Sequence, residues 1–178
     1  AASDVYKRQV GKMIMLLAAL LILPTIVSVI YHEPIKITNS FFSTIFICFI
    51  LSLIIHFLTR DVTERDFYKR EGYVIVTLTW VIFSILGALP FYLSGEIPHY
   101  IDSFFETVSG FTTTGSSILS DLSILGYSSL FWRSFTHLVG GMGVLVFALA
   151  ILPSTGSDSV QLMRAEVPGP VFGKLVSK

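Results

Sequence analysis

Four long apolar runs dominate the pattern of hydrophobic and polar positions along this chain. They cover roughly residues 10–30, 41–58, 73–93 and 130–152. Each run holds about 18–23 residues, and a helix of about 20 residues crosses the ~30 Å hydrocarbon layer of a bilayer. The pattern therefore predicts four membrane-spanning helices. Residues 1–9 form a polar leader, which we leave out of the fold prediction because it could be non-native.

The composition supports a membrane protein. Of the 178 residues, 53% are hydrophobic and only 13% are charged, whereas a soluble domain carries about 25% charged residues. The formal net charge is zero, so the chain lacks the basic footprint of a nucleic-acid-binding protein. Cys48 is the only cysteine, which excludes an internal disulfide or a multi-cysteine metal site. We therefore expect the chain to contact membrane lipid and to bind no nucleic acid.

Basic residues indicate the orientation. They cluster before the first span, between the second and third, and after the fourth: Lys7, Arg8, Lys12, Arg60, Arg65, Lys69, Arg70, Arg164, Lys174 and Lys178. The positive-inside rule then predicts cytoplasmic termini and a cytoplasmic loop at residues 59–72. Five acidic residues fall on or near the outer side: Glu33, Glu96, Asp102, Glu106 and Asp121. An acidic mouth would favour cations, although a few outer carboxylates are also ordinary.

The connection between the third and fourth spans, residues 94–129, is too long for a simple turn. Apolar residues at helical spacing (Ile101, Phe104, Phe105, Val108) predict a helix over about 101–110, capped by Asp102 or Ser103. Such a helix is ~15 Å long, half the bilayer, and about five extended residues would return the same distance. This arithmetic fits a re-entrant pore loop. A surface amphipathic helix followed by a hydroxyl-rich loop fits equally well.

The segment after this helix has the chemistry of an ion-binding loop. Residues 110–117 read Gly-Phe-Thr-Thr-Thr-Gly-Ser-Ser. A polar loop at membrane depth is tolerated only where it is buried in protein or lines a water-filled path. Successive carbonyls and threonine hydroxyls can replace the water around a cation, and the C-terminal end of a half-helix adds a favourable dipole. Gly115 permits a backbone angle that turns a carbonyl inward.

Three motifs carry a resemblance to a known family. Residues 104–115 (FFETVSGFTTTG) are similar to the first pore loop of the Trk/Ktr/HKT superfamily of potassium transporters. Residues 131–143 (FWRSFTHLVGGMG) resemble the helix that follows this loop, residues 150–153 (AILP) its inner end, and residues 164–170 (RAEVPGP) the segment beyond. Within the superfamily, the match is closest to the bacterial Trk potassium-uptake membrane subunits.

The resemblance implies an all-α integral membrane fold. Residues 10–58 would form an N-terminal transmembrane helix pair, and residues 73–152 the first helix–re-entrant pore loop–helix repeat of a potassium-channel-like fold. Residues 153–178 would be a cytoplasmic segment leading to further repeats. The family has four repeats and a carbonyl ring needs four contributors, so we interpret the chain as an N-terminal fragment. The alternative is a short subunit that assembles as a homotetrameric cation channel.

The resemblance also implies site residues. One quarter of the selectivity filter would be Thr112, Thr113, Thr114, Gly115 and Ser116. Thr113 and Thr114 would bind potassium. In plant relatives a serine at the position of Gly115 goes with sodium preference, so glycine implies a potassium-conducting type.

Two further side chains belong to this prediction. Glu106 would support the pore helix. Arg133 would either extend to the membrane interface or pair with Glu106, because ionisable residues within spans are rare and need a partner or water.

The remaining expectations concern activity and partners. The resemblance implies potassium as the transported ion, through a channel or symporter in the inner membrane of a prokaryote, with no organic cofactor on this chain. A full-length protein would be a homodimer that meets a cytoplasmic nucleotide-binding regulatory subunit. A membrane enzyme is disfavoured, because Ser109, Thr113 and Ser116 have no His/Asp arrangement near them in sequence.

Overall fold

The structure is a computed structural model that describes the backbone of residues 2–59 and 69–151, and the side chains of residues 7–59 and 74–144. Seven α-helices make up most of this part. They are α1 (Ala2–Leu20), α2 (Ile22–Ile30), α3 (Ile35–Leu58), α4 (Lys69–Gly87), α5 (Leu89–Ser94), α6 (Tyr100–Phe111) and α7 (Tyr127–Ile151), with a 3-10 turn at Leu122–Ile124. No strand occurs in these ranges, which confirms the all-α prediction.

The chain divides after Gly141 into two compact units. The first contains α1 to α6 and most of α7. Of the second unit, Met142–Lys178, the described part is residues 142–151, which continue α7. All contacts discussed below lie within the first unit. The predicted segment 153–178 lies outside the described residues.

Within the described residues, three helical stretches are long and apolar enough to cross a membrane: Lys7–Ile30, Ile35–Leu58 and Val74–Ser94. They coincide with the first three predicted spans, and they make this the chain of a multi-pass membrane protein. The fourth predicted span falls on α7. Its backbone is helical over 25 residues, but the side chains of its last residues lie outside the described part. The fourth span therefore stays a prediction.

Two of the predicted continuous spans are each divided into two helices by a single residue. The first is divided between α1 and α2 at Leu21, and the third between α4 and α5 at Ala88. Prolines follow these points, at Pro24 and Pro90. A proline ring clashes with the carbonyl four residues earlier, which here is the last or nearly the last residue of the preceding helix. The backbone bonds from Leu21 N to Leu17 O (3.0 Å) and from Thr25 N to Leu21 O (3.3 Å) connect Leu21 to both helices, so the helical path continues through the first division.

The ends of the helices do not coincide with the ends of the hydrophobic runs. Helix α1 begins at Ala2 and so includes most of the polar leader, while α4 begins at Lys69, inside the predicted loop. Apolar runs mark only the part of a helix that matches hydrocarbon, whereas the helix itself continues into polar residues. The predicted caps of α6 are wrong: His99 occupies the N-cap position without a side-chain cap bond, and Asp102 lies in the first turn, where its charge favours the helix dipole.

Trp132 of α7 is the largest fully buried side chain among the residues whose side chains are described. Its Nε1 donates to the Gly87 carbonyl at 2.9 Å, and its ring meets Phe111 edge-on with centroids 6.3 Å apart. A Cβ on Gly87 would lie 3.1 Å from Thr107 Cγ2 and 3.4 Å from the Trp132 ring. This contact joins α4, α6 and α7 at one point.

We expect Trp132→Phe to lower the free energy of unfolding by about 1–3 kcal/mol, because it leaves the buried Gly87 carbonyl without its donor. Thermal unfolding of the purified full-length protein in detergent would measure this loss. Trp80→Phe is the matched control, because Trp80 is the other tryptophan and is only partly buried. Equal unfolding temperatures for the two variants would contradict the assignment.

Two carboxylates hold the N-terminus of α7. Glu33, from the α2–α3 connection, accepts hydrogen bonds from the backbone N (3.3 Å) and the hydroxyl of Ser128. Glu96, from the α5–α6 connection, accepts from Gly126 N and Ser129 Oγ, both at 2.5 Å. Negative side chains at this end satisfy unpaired N–H groups and favour the helix dipole. These two carboxylates therefore stabilise the start of α7, while their contribution to an acidic outer mouth stays a prediction.

Candidate functional site

Helix α6 ends in a tight turn that satisfies its last carbonyls. The backbone N–H groups of three consecutive threonines donate back into the helix: Thr112 to Val108 O (2.9 Å), Thr113 to Gly110 O (2.9 Å) and Thr114 to Ser109 O (3.0 Å). The last two bonds, with Thr113 in the left-handed conformation, have the pattern of a Schellman motif, a common way to close a helix C-terminus. The chain reverses direction here.

After the turn, the chain runs back along α6. Ser109 Oγ donates to the Ser116 carbonyl at 2.6 Å. One helical turn earlier, Glu106 accepts from Ser117 Oγ (3.0 Å to each carboxylate oxygen) and from Ile118 N (3.1 Å). Because later residues of the return meet earlier residues of the helix, the return is antiparallel to α6. We call residues 100–118 the α6 hairpin. Its path has the shape of the predicted pore loop, while its depth in the membrane stays a prediction.

The turn contains two residues with left-handed backbone angles. Thr113 has φ 57° and Gly115 has φ 78°, out of four positive-φ residues in the described ranges. A β-branched residue rarely adopts this conformation, and such strain is concentrated at functional sites. A Cβ added to Gly115 would have no described atom within 4 Å. The glycine is therefore required by its backbone angle and not by crowding.

The five predicted filter residues, 112–116, are all exposed in this chain. Thr112 Oγ1 donates to Val108 O at 2.8 Å and shares a 2.7 Å hydrogen bond with Thr114 Oγ1. Thr113 Oγ1 donates to the Thr112 carbonyl at 2.7 Å. A hydroxyl that donates its proton still has oxygen lone pairs to offer. The turn thus presents a cluster of oxygen atoms without a fixed charge.

Glu106 lies behind the return segment and is 1% exposed. Its Oε1 forms an ion pair with Arg133 Nε of α7 at 2.5 Å, and the Arg133 side chain is only 16% exposed. Of the two alternatives for Arg133, pairing is therefore correct. The same carboxylate also accepts hydrogen bonds from Ser117 and Ile118, two partners that no sequence pattern indicates. Glu106 connects the helix, the return segment and α7.

The glycines of α7 bring it against the end of α6. A Cβ on Gly140 would overlap the Phe111 carbonyl oxygen and lie 2.8 Å from its carbon, and a Cβ on Gly110 would lie 2.9 Å from Thr136 Cβ. Small residues permit such close helix contacts in membranes. The glycine-rich stretch of α7 is thus a packing surface at Gly140. Nearby, His137 Nδ1 contacts the Arg133 carbonyl of its own helix at 2.8 Å.

Helices of membrane length around a short helix with an oxygen-rich return are the elements of a membrane transport protein for cations. Residues 37–176 match the TrkH family, described as cation transport protein. The chain belongs to this family, and the resemblance found in the sequence is confirmed.

Individual proteins similar to this chain carry names from the same family. The Trk system potassium uptake protein TrkH of Salmonella typhimurium is 39% identical over 166 residues, which cover 92% of this chain and 34% of the relative. TrkH of Escherichia coli K12 is 38% identical with the same coverage. The crystal structure of the potassium transporter TrkH from Vibrio parahaemolyticus superposes with a TM-score of 0.76 at 27% identity, covering 91% of this chain and 35% of that one. The chain spans about a third of the length of these relatives.

Proposed function

We propose that this chain belongs to a potassium uptake protein of the prokaryotic inner membrane and supplies one quarter of its selectivity filter. The observation that carries the proposal is the α6 hairpin, in which an oxygen-rich return with left-handed Thr113 and Gly115 is held antiparallel to a short helix. Membership of a cation transport family supports it, as do relatives named for potassium uptake.

In this proposal, a partly dehydrated potassium ion binds the oxygens of Thr113 and Thr114, and Thr112, Gly115 and Ser116 complete the segment. Carbonyl and hydroxyl oxygens replace the water ligands without adding a fixed charge, so the ion binds and still leaves. The C-terminal end of α6 points its partial negative charge at the same place. The ion is cargo, and the chemistry requires no organic cofactor.

One hairpin cannot surround an ion, because a carbonyl ring needs four contributors. The relatives are about three times as long as this chain, which favours further repeats in one polypeptide over a ring of four short subunits. The assembly that we propose is a homodimer with a cytoplasmic nucleotide-binding regulatory subunit. The "Trk system" names of the relatives support more than one component. The positive-inside rule supports a cytoplasmic N-terminus.

Gly115→Ser tests the filter assignment. We expect the full-length variant to lose potassium selectivity over sodium on the order of tenfold, or about 1.4 kcal/mol, because a side chain strains the backbone angle (φ 78°) that orients the oxygens. The measurement is sodium inhibition of rubidium uptake in cells that lack other potassium uptake systems.

Gly95→Ser is the matched control. Gly95 has nearly the same angle, φ 79°, and a Cβ there would meet mainly the flexible end of Lys36, so the variant carries a similar backbone strain outside the hairpin. Selectivity should be unchanged in this control. Unchanged sodium inhibition in Gly115→Ser itself would contradict the filter assignment.

A further inference from the structure

A cavity of about 380 Å³ lies between the start of the first membrane stretch and the last turns of α3. Three side chains that can carry positive charge line it: Arg8 and Lys12 from α1, and His56 from α3. Met15 and Leu53 line its apolar part. The α6 hairpin contributes no residue to this lining, so the proposed transport path does not explain it.

The periodicity of the two helices creates this arrangement. Arg8, Lys12 and Met15 stand at i, i+4 and i+7, which is one face of α1. Ser52 and His56 stand at i and i+4 on α3. Where the helices touch, Ser52 Oγ donates to the Gly11 carbonyl at 2.9 Å, and a Cβ on Gly11 would lie 2.9 Å from Ile55 Cγ2. These two contacts hold α1 and α3 together beside the cavity.

Along α1 the lining changes from cationic to apolar. Seven residues separate Arg8 from Met15, a rise of about 10 Å. Arg8 lies one residue inside the stretch Lys7–Ile30, and His56 lies two residues from the end of Ile35–Leu58. The cationic part is therefore at the level of the lipid headgroups and the apolar part is deeper, since long basic side chains extend to the interface. A ligand that fits both parts has an anion at one end and hydrocarbon at the other.

We propose that this cavity binds the phosphate group of an anionic phospholipid. Arg8 and Lys12 contact the phosphate, His56 lies beside it, and the first methylenes of an acyl chain lie against Met15 and Leu53. Basic pockets between transmembrane helices recognise acidic lipid headgroups in this way. A free phosphate ion would use only the cationic part. The proposal needs a multi-pass membrane protein but does not depend on the filter assignment.

Titration of the purified full-length protein with phosphatidylglycerol, followed by native mass spectrometry, tests the site. Each basic residue near an anionic lipid surface contributes about a fivefold gain in affinity. Arg8→Gln/Lys12→Gln should therefore lower the affinity for one phosphatidylglycerol per chain by about 30-fold. Lys7→Gln is the matched control, because it removes the same charge from the same helix end at a residue outside the cavity lining. Phosphatidylcholine should not compete.

Further variants keep the test decisive. Arg8→Lys/Lys12→Arg retains both charges and should retain the lipid. If the double neutralisation prevents folding, Lys12→Gln alone, at an exposed position, should weaken binding about fivefold. Equal binding by the neutralised protein and Lys7→Gln would overturn the proposal. Displacement of phosphatidylglycerol by millimolar inorganic phosphate would show a soluble-anion site and would overturn the lipid assignment.

Discussion

Replacing Glu106 with Gln is expected to destabilise the full-length protein by about 3–5 kcal/mol, because it leaves a charge without its partner in a buried place. Arg133 is 16% exposed and pairs with this carboxylate. A glutamine oxygen can still accept from Ser117 and Ile118, but it cannot neutralise the guanidinium. We therefore expect the return segment to shift and selective rubidium uptake to be lost along with stability.

A double-mutant cycle measures the coupling between the two residues. The variants are Glu106→Gln, Arg133→Gln and the two together, and the readouts are thermal unfolding and rubidium uptake. The double variant should be more stable than the sum of the single losses implies. Asp102→Asn is the control, because it removes a carboxylate from a partly exposed position of the same helix. Stability of Glu106→Gln equal to that of the control would contradict a supporting role for the ion pair.

Gly140→Ala should have the second largest effect. Its Cβ would overlap the carbonyl oxygen of Phe111, the last residue of α6. The obstacle is the backbone of Phe111, and an alanine Cβ has no rotamer that avoids it. Helix α6 must therefore move away from α7. Overpacking of this kind costs about 1–3 kcal/mol. Since the moved residue directly precedes Thr112, potassium selectivity should fall as well.

Gly141→Ala separates crowding from helix propensity. It makes the same change one residue later in the same helix, where a Cβ would lie 3.7 Å from Thr113 Cγ2, an ordinary contact. Both variants gain about 0.5–1 kcal/mol of helix propensity, so only the clash distinguishes them. We expect near-normal unfolding and uptake for Gly141→Ala. Comparable losses in both variants would show that contact with the Phe111 carbonyl is not the cause.

Local patterns predicted much of this fold. The spacing of apolar residues predicts a helix at about 101–110, and α6 is Tyr100–Phe111. The first three apolar runs coincide with membrane-length helices. These features depend on neighbours along the chain, which is the information that a hydrophobic pattern holds. Pro24 and Pro90 also lie just after the two points where helices are divided, within spans that the hydrophobic pattern predicts as continuous.

The hydrophobic pattern did not predict contacts between residues that are far apart in the sequence. Glu106 and Arg133 are 27 positions apart in the sequence. From the sequence, their pairing was one of two alternatives for Arg133. The bonds of Glu33 and Glu96 to the start of α7 cross 95 and 30–33 residues, and these carboxylates were interpreted as part of an acidic outer face. Hydrogen-bond partners of a carboxylate depend on tertiary packing, which residue type and spacing do not determine.

The hydrogen bonds between Glu33 and the start of α7 also have a consequence for biosynthesis. Ser128 follows Glu33 by 95 residues, so at about 5–20 residues per second it leaves the ribosome roughly 5–20 s later. The acceptor carboxylate is thus made, together with the first two helical stretches, well before its donor exists. The segment that contains Glu33 is therefore available for α7 to pack against as soon as α7 is made.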